Sequence, residues 1–358
     1  MITEKAFRLP AEWEPQSGVQ LTWPHRDTDW APMLDEVLNV YHEIAREISR
    51  REPLLIVAPE GAAPGMVHVV CDTDDTWARD HGFITLLSVE SSKLSDFSFA
   101  DRSKVAQPST LNSQLLDFKF NGWGEKFPAE QDNAINHRLY DVGAVKGEYV
   151  DHLDFVLEGG SIESDGRGTI FTTSQCLLAP HRNQPLTKQE IEQRLKDYLY
   201  ADRVLWIDYG HLAGDDTDGH IDTLVRICPY DTLLYIKCDN TADEHYEDLR
   251  LMEEQLRSFR TLDGRPYHLL PLPMPHPIYD AEATCPQRLP ATYANFLVIN
   301  GAVLCPTYGQ PEVDTKALDV IAHAFPDRDI VPIDCRPLIR QHGSLHCCTM
   351  QFPEGVIG

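Results

Sequence analysis

Apolar residues recur at helical spacing along "PMLDEVLNVYHEIAREISR" (32–50), where Leu34, Val37, Leu38, Tyr41, Ile44 and Ile48 share one face and Pro32 suits a first-turn position. The uncharged run "LLIVA" (54–58) then predicts a buried strand, and "MVHVV" (66–70) a second. Further on, "GTIFTT" (168–173) predicts a strand, and Thr187 with Glu190 has the spacing of a capping box. The helix it opens carries Ile191, Leu195 and Leu199 on one face, and "RVLWID" (203–208) returns to a strand. "DTLVRI" and "TLLYIKC" predict two more strands before a helix across 242–259 with Leu249, Met252 and Leu256 inward. Asn300-Gly301 inside "NFLVINGAVLCP" is a two-residue hairpin signal, followed by a helix near 315–324 and the strand "DIVPID" (329–334).

Strand, strand, helix, strand thus recurs at roughly 70-residue spacing, which fits about five modules into the chain. No residue-level repeat accompanies it, so the periodicity is architectural. Short β units repeated radially make a propeller-like α/β shape around one central cavity. No linker separates two halves, and the expectation is a single domain over 1–358. The stretch at 88–115 is polar and aperiodic and predicts an inserted surface loop.

Charge narrows the partners. The 56 acidic residues against 31 basic give a net charge of -25, which repels nucleic acid and favours a small cationic substrate. Mean hydropathy is -0.33, and no uncharged run approaches the roughly 18 residues of a membrane span. The opening "MITEKAFRLPAEWEP" carries early acids and no apolar segment of a signal peptide, so a soluble, cytoplasmic protein with no membrane partner is expected. The nine cysteines are scattered, odd in number and without a C-x-x-C pair, which argues against a disulfide framework. Most read as small buried hydrophobes, with room for one reactive thiol. The pattern is compatible with a homo-oligomer.

Five segments concentrate polar chemistry, each beside a predicted strand: "DDTWARDHG" (74–82), "LEGGSIESDGRGT" (157–169), "GDDTDGHID" (214–222), "ATYANFLVINGA" (291–302) and "GSLHCCT" (343–349). An EF-hand alignment on Gly219 puts Gly214 at the first ligand place and Val225 where the distal Glu belongs, so calcium does not fit. His220 and Asp222, two residues apart on one strand face, suit a general acid/base and its neighbour, or an ordinary structural histidine beside acids. Trp77 and Asp80 suit the face and edge of a planar cation, or a core Trp with Asp80 paired to Arg79. Glu158 precedes two glycines that let backbone approach closely, a weak signal by itself. Cys347 and Cys348 read alone as buried core. Taken with these acids and His220, one of them becomes a nucleophile for a guanidinium carbon, which reacts only when its nitrogens are fixed and its charge compensated.

Together with "PAEWEP" (10–15), "DFKFNGWGEKF" (117–127), "NFLVINGAVLCPTYG" (295–309) and "LHCCTMQ" (345–351), these segments closely resemble the agmatine deiminases and bacterial-type peptidyl-arginine deiminases, from about residue 8 onward. The resemblance implies the five-bladed, pseudo-symmetric α/β propeller of the guanidino-group-modifying enzymes, built from ββαβ modules around a central site. It implies hydrolysis of agmatine to N-carbamoylputrescine and ammonia through a covalent cysteine intermediate, a step toward putrescine, with no metal or organic cofactor. Carried onto this sequence it makes Cys347 the nucleophile, His220 the acid/base and Glu158 its carboxylate partner. Asp80 and Asp222 become the guanidinium clamps, Trp77 the neighbouring aromatic, and Asp216 a contact for the far amine. Cys348 becomes packing, on the opposite face if the strand alternates there.

Alternatives stay open: free or peptidyl arginine as substrate, giving citrulline; a metallohydrolase using His220, Asp222 and Asp216; and a non-catalytic binding module on the same fold. Ser344 stands where the family often has Gly, and Phe83 where it often has Pro. The 88–115 stretch is longer than usual and would alter the pocket rim.

Overall fold

The computed structural model describes residues 6–63, 65, 68–89, 112–280 and 286–357. Most of the expected 88–115 insertion, Cys285, and Met66 and Val67 of the "MVHVV" run lie outside them.

The described strands form five sheets, and each contains the same unit: an antiparallel strand pair, a helix, and a strand parallel to the second. In one, Thr349–Pro353 pairs antiparallel with Gln16–Thr22, helix Leu34–Ser49 follows, and Leu54–Ala58 then Val69–Val70 add in parallel. In the next, Ile84–Val89 and Ser113–Lys119 are antiparallel, helix Ile135–Asp141 follows, and Glu148–Val156 pairs in parallel, with Ala6–Arg8 on the outer edge. Ile162–Ser164, Thr169–Thr173, helix Lys188–Leu199 and Arg203–Ile207 make the third. Val225–Cys228, Thr232–Lys237, helix Tyr246–Ser258 and His268–Pro273 make the fourth. The fifth is Leu297–Ile299, Ala302–Thr307, helix Pro311–Ala324 and Asp329–Asp334. The first sheet is thus completed by the C-terminal strand.

Local chemistry accounts for these elements. The helix Leu34–Ser49 buries Val37, Tyr41, Ile44 and Ile48 against its sheet. The capping box forms: Thr187 Oγ1 accepts from Glu190 N at 3.3 Å, and Glu190 Oε2 accepts from Thr187 N at 2.8 Å, an arrangement worth about 1 kcal/mol. Gly301 takes φ 75° in the hairpin that sets Ile299 opposite Ala302. The helix expected from 242 begins at Tyr246 instead, because Asn240 and Asp243 draw the preceding amides into side-chain-bonded turns at 3.1 Å. The last helix starts four residues early, at Pro311, which needs no N–H in a first turn.

Two local expectations fail. Ile221–Thr223 is a single 3₁₀ turn entered from His220, so His220 and Asp222 do not share a strand face. Cys347 and Cys348 lie in a turn that ends before strand Thr349–Pro353, so strand alternation does not separate them. The turn nevertheless points them apart. Cys348 is fully buried against Tyr41, whereas Cys347 lines a cavity.

In every unit the polar segment immediately precedes the first strand of the hairpin. Asp80 precedes Ile84–Val89, Glu158 precedes Ile162–Ser164, His220 and Asp222 precede Val225–Cys228, Asn295 precedes Leu297–Ile299, and Cys347 precedes Thr349–Pro353. Equivalent corners of five units therefore carry the chemistry.

Candidate active site

A cavity of about 180 Å³ is lined by Cys347, Asp80, Trp77, Trp123, Phe127 and Asp216, with Asp29, Asp75 and His342 farther around its wall. Glu158, His220 and Asp222 are fully buried behind this lining. The structure brings Trp77 and Asp216 to the wall of this cavity and gathers the other five expected residues, Cys347, His220, Glu158, Asp80 and Asp222, beside it. His220 Nδ1 lies 3.6 Å from Asp80 Oδ1. Ligating atoms of His220, Glu158 and Cys176 fall within 4.8 Å of one another. Cys347 Sγ lies 3.9 Å from Asp222 Oδ2 and 3.5 Å from Asn295 Oδ1.

Close backbone approach makes this cluster. Gly160 passes so near that a Cβ there would stand 2.6 Å from His220 Nδ1, 2.8 Å from Asp80 Oδ1 and 3.2 Å from Asp222 Oδ2. Its own N–H donates to Asp80 Oδ1 at 3.1 Å. Trp123 Nε1 donates to the other oxygen at 2.9 Å. The run Gly122-Trp123-Gly124 is left-handed throughout, with φ values of 65°, 56° and 87°, and this throws the indole over Asp80. Trp77 is steered by its own Nε1 bond to Asp75 Oδ2 at 3.0 Å, and Gly343 packs where a Cβ would strike its ring. Asp216 sits at the rim, half exposed, with Oδ2 3.7 Å from His342 Nδ1.

Buried charge sets the protonation pattern. Burial pushes the Asp80 carboxyl up to about 6 against the pull of His220. At Asp222 burial also works upward, but the His346 hydrogen bond and nearby cations outweigh it and hold the carboxyl below its usual range. Burial opposes the His220 cation, yet Asp80, Cys176 and Glu158 together raise it well above the ordinary imidazole value. The Cys347 thiol is pushed well above its usual range by burial, then by Asp222 and Asp80. At rest the site therefore holds an imidazolium and a thiol.

Glu158 differs from the simplest expectation. Its Oε1 is taken by Arg182 Nε at 2.8 Å in a fully buried ion pair, so it faces His220 without a direct hydrogen bond. Four buried atoms here have no hydrogen-bond partner: Glu158 Oε2, Asp222 Oδ1 and both His220 ring nitrogens. Unsatisfied buried groups are costly and rare. Their convergence beside Cys347 marks a place shaped for a polar ligand.

The residues weighed as metal ligands are not brought together, since Asp216 is at the rim while Asp222 is held by His346. Among the described residues, three other groups have ligand spacing: Glu158, Cys176 and His220; Glu12, Glu163 and His346; and Asp243, Glu244 and His245. Each already binds a guanidinium, from Arg182, Arg226 and Arg288 respectively. A metal would have to displace that cation.

Sequence reasoning named neither Trp123, Asn295, Arg182, Cys176 nor His346 as site residues. Asn-Gly-Trp-Gly was a readable signal for a left-handed aromatic turn. Arg182 had none, being 24 positions from Glu158 in an irregular loop.

The family model described as Porphyromonas-type peptidyl-arginine deiminase matches residues 8–353. The chain belongs to that family. A solved structure of a putative arginine deiminase from Porphyromonas gingivalis is 47% identical, with a TM-score of 0.86 over 99% of this chain and 100% of that one. A cysteine-to-serine variant of the C. jejuni agmatine deiminase with substrate bound is 34% identical, with a TM-score of 0.85 over 99% and 98%. The agmatine deiminase of Medicago truncatula is 31% identical over 98% of this chain and 97% of its own length. As a member of the peptidyl-arginine deiminase family, the chain has the α/β fold and acts as a hydrolase on guanidino carbon–nitrogen bonds. Among the described residues, no helix is long and apolar enough to cross a membrane.

Proposed function

We propose that this chain is an agmatine deiminase, converting agmatine and water to N-carbamoylputrescine and ammonia. It works as one catalytic domain in the cytoplasm, with the five ββαβ units arranged as the blades of a propeller around the site. Asp80 and Asp222 hold the guanidinium edge by charge-assisted hydrogen bonds, with Trp77 and Trp123 against its flanks. The substrate's own positive charge stabilises the Cys347 thiolate, which the surrounding carboxylates otherwise oppose. The thiol proton passes to bulk water as substrate binds, and the sulfur adds to the guanidinium carbon to form a tetrahedral centre. The His220 imidazolium, kept protonated by Asp80, Cys176 and Glu158, protonates one nitrogen, which departs as ammonia. The amidino-thioether left on sulfur is hydrolysed by a water that neutral His220 deprotonates. As the C–S bond breaks, the new hydroxyl gives its proton to the departing sulfur, which releases the ureido product, restores the thiol and leaves His220 protonated for the next cycle.

The cavity lining carries this choice of substrate: among the described residues it presents Asp29, Asp75, Asp80 and Asp216 and neither Lys nor Arg. Nearby Lys126 is engaged by Asp218 at 2.8 Å and by the Asp216 carbonyl at 2.6 Å. A terminal ammonium such as agmatine's fits this wall, and the α-carboxylate of arginine does not. The test is ammonia release from agmatine, arginine and a blocked arginine peptide. Agmatine is expected to be preferred, with unchanged turnover in EDTA; preference for arginine or loss of activity to the chelator would overturn the reading.

A further inference from the structure

His346 directly precedes Cys347, is 2% exposed, and has both ring nitrogens engaged. Nδ1 lies 2.7 Å from Asp222 Oδ2, and Nε2 lies 2.9 Å from Glu12 Oε2. An ionised Asp222 can only accept, so His346 Nδ1 carries the hydrogen. Glu12 is itself fixed, since its Oε1 accepts from Val298 N at 2.7 Å and its Oε2 from Arg226 Nη2 at 2.5 Å. Arg226 is held in turn by Glu163 Oε1 at 2.6 Å and the Ala294 carbonyl at 3.1 Å, and its guanidinium lies 4.4 Å over the Phe296 ring. The His346 backbone N–H is tied to Asn295 Oδ1 at 2.9 Å. The imidazole is therefore anchored at both ends, and it occupies one oxygen of Asp222 while Oδ1 has no hydrogen-bond partner.

We infer that His346 is a positioning residue: anchored through Glu12 and Arg226, it sets the angle of the Asp222 carboxylate so that its unpartnered oxygen meets the guanidinium edge beside Cys347. The inference rests on the reading of Asp222 as a guanidinium clamp. A fixed partner on one oxygen is how a buried carboxylate keeps its orientation without spending the oxygen that binds substrate.

The test compares two amide variants of the full chain. His346→Asn keeps an N–H at the Nδ1 place, whereas His346→Gln moves it to the Nε2 place and leaves Asp222 Oδ2 without its donor. The readout is alkylation of Cys347 by cationic, planar chloroacetamidine and by neutral chloroacetamide, followed by mass spectrometry, with KM and kcat for agmatine beside it. In His346→Gln the amidine-to-amide rate ratio is expected to fall about 10- to 100-fold, and in His346→Asn, which keeps the donor to Asp222 but loses the bond to Glu12, to fall at least about threefold less. The neutral reagent should react alike in both. KM for agmatine should rise in His346→Gln, whereas a merely structural defect lowers kcat by the inactive fraction and leaves KM alone.

Equal ratios in the two variants, or an unchanged ratio in His346→Gln, overturn the inference. Glu12→Gln asks the same question from the far end of the chain of bonds, should the histidine variants not fold. A lowered ratio is expected there, and an unchanged one overturns the inference. A wild type with no preference for the amidine would bring down the clamp reading and this inference together. A wild-type preference untouched by the variants would bring down the role of His346 alone.

Discussion

Gly160→Ala probes how tightly the site is assembled. A methyl group there would stand 2.6 Å from His220 Nδ1 and 2.8 Å from Asp80 Oδ1, where ordinary contact begins near 3.4 Å. The imidazole and the carboxylate must therefore retreat by about 0.6–0.8 Å, against walls that are close-packed. Gly160 is not among the glycines with positive φ, so alanine costs nothing in backbone strain. Overpacking costs about 1–3 kcal/mol, and the restricted unfolded chain returns about 0.4–1 kcal/mol. The net loss of stability is then at most about 2.5 kcal/mol. An unfolding entropy of about 2.1 cal/mol/K per residue makes that a fall of about 3 °C or less for a chain this long. Activity should fall much further, since a shift approaching 1 Å in a reacting constellation costs about 100-fold. Calorimetry and ammonia release from agmatine measure the two effects on one preparation. A variant retaining activity within about threefold of wild type would refute the packed geometry, because that shift cannot leave the reaction untouched.

The pH profile should show the two shifted groups. The Asp80 carboxyl is pushed up to about 6, so its proton stays on below that pH and a cationic substrate loses one clamp. Initial rates at low agmatine should show kcat/KM falling about tenfold per unit below about pH 6. The alkaline limb, set by deprotonation of His220, should lie well above the ordinary imidazole range. Glu158→Gln keeps an oxygen for Arg182 Nε but removes the buried negative charge beside it, leaving Asp218 as the one carboxylate paired with Arg182 among the described residues. Chemical denaturation should show a loss of about 3 kcal/mol along with the loss of activity. Cys348→Ala should keep turnover near wild type and cost about 1 kcal/mol of stability, because Cys348 packs against Tyr41 and away from the cavity.

What was legible in the sequence follows from local chemistry. Periodicity located the long helix, strands 54–58 and 329–334, the Thr187 cap and the Asn300-Gly301 hairpin, because each depends on residues adjacent in the chain. The polar segments were legible as one per unit, since each precedes its own hairpin. Their convergence was not: Arg182 reaches Glu158, and Glu12 reaches His346, across hundreds of atoms of intervening fold that leave no local pattern. The 3₁₀ turn at Ile221–Thr223 reads as strand from the sequence because His220-Ile221-Asp222 alternates polar and apolar residues just ahead of an apolar run, while Gly219 at φ 87° breaks the extended path just before it. Phe83, standing where the family often has Pro, is fully buried and edge-on to Tyr149, so the departure is absorbed by packing. Ser344 is likewise buried, 3.1 Å from the Tyr308 hydroxyl.

The most direct test of the account is to quench the protein during turnover of agmatine and weigh the peptide that carries Cys347 and Cys348. The account predicts an adduct of agmatine less ammonia on Cys347, present in wild type and in Cys348→Ala and absent from Cys347→Ala, which should also release no ammonia. Full activity in Cys347→Ala, or an adduct on Cys348 alone, would contradict it.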